Sequence, residues 1–322
     1  MKEQTKNILS LTGRIVITVL AFAWILQLVD LSQLKSIFAA ADHFWLAVAV
    51  GSYFTALIFC IFRWRFLVPE HPALTLGFLT NSFFVACLFN TILPTTIGGD
   101  VIRGYDLIKA TGKWRESLAS IFLDRMIGLV GFLFFALLAW AIYPAAREDP
   151  FILNAFIGYC ILVIILFGVL GSKRMLTASL KPFGKIGLGS LSSHAKQFQE
   201  TLLDYRHKPK QLAGATLMSL GVQLTRILMF IAVVKAFALP VPILFLMLVV
   251  PIIMLVTQIP LSLNGLGIRE IATIQFLARV DIGASEATAV SLVCSVIPFL
   301  SAIIGAVFLL TRQKKKKPKP EN

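Results

Sequence analysis

The chain has 322 residues, of which 57% are apolar and only 14% charged, and its mean hydropathy is +0.84. A soluble domain carries about 25% charged residues and could not clothe so apolar a composition in polar groups. A soluble enzyme, a disulfide-stapled secreted scaffold and a nucleic-acid binder therefore fit poorly, and the net charge of +14 speaks for cytoplasmic loops facing anionic lipid.

The first apolar stretch, 14–31, follows Lys2, Lys6 and Arg14. The small residues Ala39 to Ala41 lie too far beyond it for a cleavage site, so it reads as an uncleaved span. Further apolar segments run over 44–62, 76–93, 118–143, 151–171, 211–234, 243–260 and 286–310. A helix needs about 20 apolar residues to cross the hydrocarbon core. Two segments break early: Pro94 opens a turn with Gly98, Gly99 and Asp100, and Pro260 opens one with Asn264, Gly265 and Gly267. Between the halves, 172–210 carries eight cations and reads as a solvated connector, with a short interfacial helix over 191–203 as the alternative. A basic tail, 313–322, is expected to be disordered and cytoplasmic.

The cations choose a topology. If both interrupted segments turn back within the bilayer, 23 of the 30 basic residues fall on one side, as the positive-inside rule asks. The fold class predicted is all-α: a polytopic membrane protein with six full spans, two re-entrant hairpins and both termini inside. The breaks also align with each other. Pro94 and Pro260, Gly99 and Gly265, and Arg103 and Arg269 are each separated by 166 residues. One transmembrane domain, 1–312, is thus expected, with a first repeat over about 44–143, a connector over 144–210 and a second repeat over about 211–310 in inverted orientation, as in transporters.

Ionisable residues at membrane depth are functional candidates because an isolated charge there costs several kcal/mol, roughly 2.5–3.5 on the insertion scale. Asp100 and Arg103 flank the first turn, Asp124 and Arg125 lie in the following span, Arg226 is mid-span, and Arg269 and Glu270 follow the second turn. With Asn90, Asn264 and the glycines Gly98, Gly99, Gly265 and Gly267, they form a candidate path for a lipid headgroup. Glycine turns can present N–H groups to an anion, and Arg recognises phosphate bidentately. Each has a plainer reading. Asp100–Arg103 and Arg269–Glu270 could simply be ion pairs, Arg125 could snorkel beside Asp124 or Glu116, and Asn90, Gln258 and Asn264 could satisfy backbone freed at the breaks. Arg63 and Arg65, beside Trp64, read as anchors at the inner edge.

No catalytic motif is present: there is no phosphate-binding loop, GxSxG or HExxH. Cys60, Cys87, Cys160 and Cys294 sit in apolar runs without CxxC spacing, and the four histidines lack ligand spacing, so neither a metal nor a cofactor is expected.

Three segments resemble one known family. They are Asn90-Thr-Ile-Leu-Pro94-Thr-Thr-Ile-Gly98-Gly99-Asp100-Val-Ile-Arg103, then Leu123-Asp124-Arg125 before an apolar run, then Pro260-Leu-Ser262-Leu-Asn264-Gly265-Leu266-Gly267-Ile-Arg269-Glu270. They are similar to signatures of the flippase-like membrane domain of lysyl-phosphatidylglycerol synthases, and the likeness covers about 10–312. It implies translocation of a lipid, an anionic phospholipid or a polyprenyl-linked or glycolipid, between leaflets of a bacterial inner membrane. The chain is expected to be a stand-alone member without that family's soluble synthase domain, so the lipid need not be the aminoacylated one. The alternatives are a membrane-embedded enzyme and an accessory subunit of a lipid-modifying or glycosyl-transfer pathway. The expected partners are membrane lipids and a lipid-modifying or glycosyltransferase protein, not nucleic acid.

Overall fold

A computed structural model describes residues 23–93, 97–171, 198–258 and 265–314, and among these every regular element is helical. Ten α-helices lie wholly within the described residues and are numbered in chain order: α1 (Leu31–Ala39), α2 (His43–Leu67), α3 (Leu76–Ile92), α4 (Gly98–Thr111), α5 (Trp114–Ile142), α6 (Pro150–Gly171), α7 (Pro209–Ala236), α8 (Ile243–Gln258), α9 (Ile268–Leu277) and α10 (Ala284–Lys314). Five are long and apolar enough to cross a membrane: α2, α5, α6, α7 and α10. The predicted first span and the basic tail fall largely outside the described residues. The chain is helical over 23–28, and a new helix then starts at Leu31, where the Asp30 carboxylate accepts the N–H groups of Ser32 and Gln33. That is an ordinary N-cap.

The two interrupted segments form the short helices α3 and α8, of 17 and 16 residues. At 1.5 Å per residue each reaches about 25 Å, short of the roughly 30 Å core. α4 runs back along α3: Gly99 approaches Asn90, while the Ser82 hydroxyl donates to Asp106 nearer the other end. α9 packs on α8 and α10.

Packing joins the two halves. α2 lies along α7, α3 against α10, and α8 against α5. Small residues permit close approach, as is usual between membrane helices. A Cβ on Gly131 would lie 2.7 Å from the Ser219 hydroxyl, and one on Gly221 would meet the Phe59 ring at 2.9 Å. The polarity is inside out. Ser82, Ser219, Gln223 and Glu270 are fully buried, whereas Ile164, Val296, Ile303 and Leu310 are exposed. Lipid takes the apolar side chains, and the bundle interior satisfies the polar ones.

The described end of the connector, 198–210, departs from the expected solvated loop, while 172–197, with the first part of the alternative helix over 191–203, lie outside the described residues. Residues 198–204 are helical, the Phe198 ring packs edge-on against Phe122 at 5.5 Å, and the buried Tyr205 donates its hydroxyl to the Leu67 carbonyl at 2.7 Å. Leu67 needs that donor because the last carbonyls of α2 have no intrahelical partner. Burial pushes the Tyr205 hydroxyl pKa up to about 12.

Candidate functional site

The first break is built for close contact. The Gly99 N–H donates to the Asn90 Oδ1 at 2.7 Å, and a Cβ on Gly99 would stand 2.5 Å from the Ala86 carbonyl oxygen. Only glycine lets α4 begin this near α3. That start sets Asp100 and Arg103 on the inward side of α4. Arg103 is 5% exposed. It donates through Nη2 to Asp100 Oδ1 at 2.6 Å and through Nη1 to Asp124 Oδ2 at 3.1 Å. Its guanidinium lies 4.8 Å from the centroid of the buried Trp64 ring.

Asp124 is shared. Its Oδ1 accepts Arg63 Nε at 2.6 Å, and Arg63 Nη1 reaches the Ser219 hydroxyl at 3.4 Å. Asp100 is shared too, since its Oδ2 accepts Arg125 Nε, while Arg125 Nη1 donates to Gln258 Oε1 at 3.1 Å. A continuous chain of polar contacts thus runs from Ser219 on α7 through Arg63, Asp124, Arg103, Asp100 and Arg125 to Gln258 at the end of α8. Buried charges persist when each finds an opposite partner and its remaining donors are met.

The second break uses other means. Gly265 and Gly267 have φ of 76° and 82°, a region side chains avoid. The Gly267 N–H donates to Glu270 Oε2 at 2.6 Å, the carboxylate half of a capping box. Glu270 is wholly buried, and its Oε1 accepts the Ser295 hydroxyl at 2.7 Å and that of Ser291 at 3.4 Å. Arg269 Nη1 donates to the same Ser295 hydroxyl at 3.1 Å.

A cavity of about 310 Å³ opens between the two breaks. Of the residues singled out in the sequence, Asn90, Asp100, Arg103, Asp124, Arg125, Arg226 and Arg269 line it. The glycines build the turns, and Glu270 lies behind the wall as a cap. Asn264 is outside the described residues. Arg226 rests over the Phe132 ring, 5.7 Å from its centroid, and no ion pair joins it to a carboxylate among the described residues.

Among the lining residues that escaped the sequence reading, two stand out. Arg63, taken as an inner-edge anchor, is buried and faces the cavity, whereas its neighbour Arg65 is exposed as expected. Helical spacing held the signal: Ala56, Cys60, Arg63 and Leu67 are one buried stripe, and Arg65 falls off it. Gln223 is the other. It is fully buried and donates Nε2 to the Gly128 carbonyl at 3.1 Å, and being neutral it gave no warning.

The described lining therefore holds five arginines and two aspartates, a surplus of three positive charges with many N–H donors. Guanidinium groups are suited to oxyanions, above all phosphate.

The fold and the site together define a polytopic α-helical membrane protein with a buried cationic cavity. The family model described as the lysylphosphatidylglycerol synthase TM region matches residues 11–305, and the chain belongs to that family. Neither the comparison with curated proteins nor that with solved structures gave a match.

Proposed function

We propose that the protein moves a lipid with an anionic, phosphate-bearing headgroup between the leaflets of a bacterial inner membrane, with both termini cytoplasmic. The observation that carries this reading is the cavity, in which five arginines face two aspartates between a pair of broken helices. The headgroup would exchange its water for guanidinium donors while the acyl chains stay in lipid. Arg226 and Arg269 are assigned to the headgroup because both line the cavity, and replacing them leaves intact the ion pairs that Arg63, Arg103 and Arg125 make with Asp100 and Asp124. Family membership points to a phosphatidylglycerol-like or similar anionic lipid.

Alternating access suits the packing. α3 on α10 corresponds to α8 on α5, α3 on α4 to α8 on α9, and α4 on α5 to α9 on α10. Such pairing supports an inverted repeat with two re-entrant hairpins, in which rocking one half against the other presents the cavity to each side in turn. An enzyme that modifies the lipid is the partner this role calls for.

Transfer of fluorescent phosphatidylglycerol in proteoliposomes tests the reading. An Arg226→Ala/Arg269→Ala double variant should slow transfer about tenfold or more, equivalent to roughly 1.4 kcal/mol in barrier. Equal rates in wild type and variant would refute it.

A further inference from the structure

On the other faces of α8 and α9 lies a second hollow, a groove of about 440 Å³ closed on its third side by α6. Met254 and Gln258 of α8 face the arginine cavity, whereas Leu255 faces the groove, as do Ile271 and Phe276 of α9. The lining is apolar except for Gln275 and the Tyr159 ring, and the Tyr159 hydroxyl is turned inward to the Leu129 carbonyl at 3.0 Å. Phe151 and Leu162 remain exposed at the rim. At membrane depth that rim meets hydrocarbon, not water.

Two features select the occupant. Along α6 the groove extends from Phe151 to Leu162, about 17 Å at the helical rise, close to the ~15 Å hydrocarbon depth of one leaflet. At its mouth stands a cation: the Arg279 guanidinium lies 4.7 Å from the centroid of the Phe151 ring, and its contact with Asp149 is loose at 3.6 Å. A close ionic hydrogen bond spans about 2.7–2.9 Å, so the side chain has donors to offer at headgroup level.

We propose that this groove seats one acyl chain of a bilayer phospholipid, with the lipid phosphate received by Arg279 at the mouth. The site goes beyond the headgroup translocation above and does not depend on it, because α8 and α9 stand between the two hollows.

Photolabelling of the full-length protein tests it, in vesicles of phosphatidylethanolamine and phosphatidylglycerol with a trace of phosphatidylglycerol bearing a diazirine in one acyl chain. Label should concentrate on 151–162 and 268–277 above the outward face of α10 at Val296, Ile303 and Val307. A Cβ on Gly158 has nothing within 4 Å, so a larger side chain can start into the groove there, and Gly158→Leu should cut that label several-fold while sparing α10. Arg279→Gln should cut capture of the phosphatidylglycerol probe but not of a diazirine diacylglycerol, which lacks the phosphate. Label spread evenly over all lipid-facing helices would overturn the proposal, as would no effect of Gly158→Leu. So would Gly158→Cys dimers with the groove unlabelled, since a second copy would then be the occupant. The Arg226→Ala/Arg269→Ala variant should keep the groove label, so failure of the transport reading and failure of this one are separately visible.

Discussion

The two breaks occupy matching places in the chain and are held in different ways. At the first, Arg103 is clamped between Asp100 and Asp124, which Arg125 and Arg63 share in turn. At the second, the carboxylate of Glu270 is committed to the Gly267 N–H and to two serine hydroxyls, and Arg269 is met by one of those serines. The first break is therefore stiffened by ion pairs that reach across to α2 and α5. The second is stiffened by a cap and by serine hydroxyls of α10, and leaves its arginine lining the cavity. Opposite signs of charge fix one hairpin, and hydrogen bonds to neutral groups fix the other.

That contrast predicts a ranking. Asp124→Asn leaves Arg63 and Arg103 facing one another in a buried site, and breaking such a set by one partner costs about 3–5 kcal/mol. It should give the largest loss of thermal stability in detergent, followed with a thiol-reactive dye that reports exposure of the buried Cys60 and Cys294. Glu270→Gln should cost less, about 1–3 kcal/mol, because the amide oxygen still accepts the Gly267 N–H while the Ser291 and Ser295 hydroxyls lose the charged oxygen they share. Equal losses for these two variants would erase the distinction between the breaks. Gly267→Ala forces a Cβ into positive φ and should cost about 1–2 kcal/mol. The smallest effect belongs to the cluster tying the first hairpin to the end of α10, where Arg312 Nη2 meets Asp106 Oδ2 at 2.9 Å. A double-mutant cycle of Asp106→Asn and Arg312→Gln should return a coupling of about 1 kcal/mol or less.

Much of this was legible in the amino-acid order, for physical reasons. Hydropathy locates α2, α5, α6, α7 and α10 because a span must be long and apolar, and Pro94 and Pro260 mark the short helices because proline ends them. Asp100, Arg103, Asp124, Arg125, Arg226 and Arg269 stood out because charge is rare at membrane depth. Arg63 did not, because it sits near a helix end beside Trp64, where arginines commonly anchor. The sharing of Asp124 by two guanidiniums and the packing of Tyr205 under α2 depend on tertiary approach. The groove behind α9 is a shape, and apolar letters do not distinguish a packed face from a hollow one.

The cavity is lined by groups of one unusual kind. A guanidinium spreads its charge over a flat fork of N–H donors and is more weakly hydrated than an ammonium, so these five charges are less costly to hold in a buried site than lysines in the same places. The two aspartates balance only part of them. A third carboxylate, that of Glu270, stands behind the wall and shares the Ser295 hydroxyl with Arg269. The excess positive charge at the wall suits the cavity to an anion with several acceptor oxygens, met by donors whose fork geometry is fixed before it arrives.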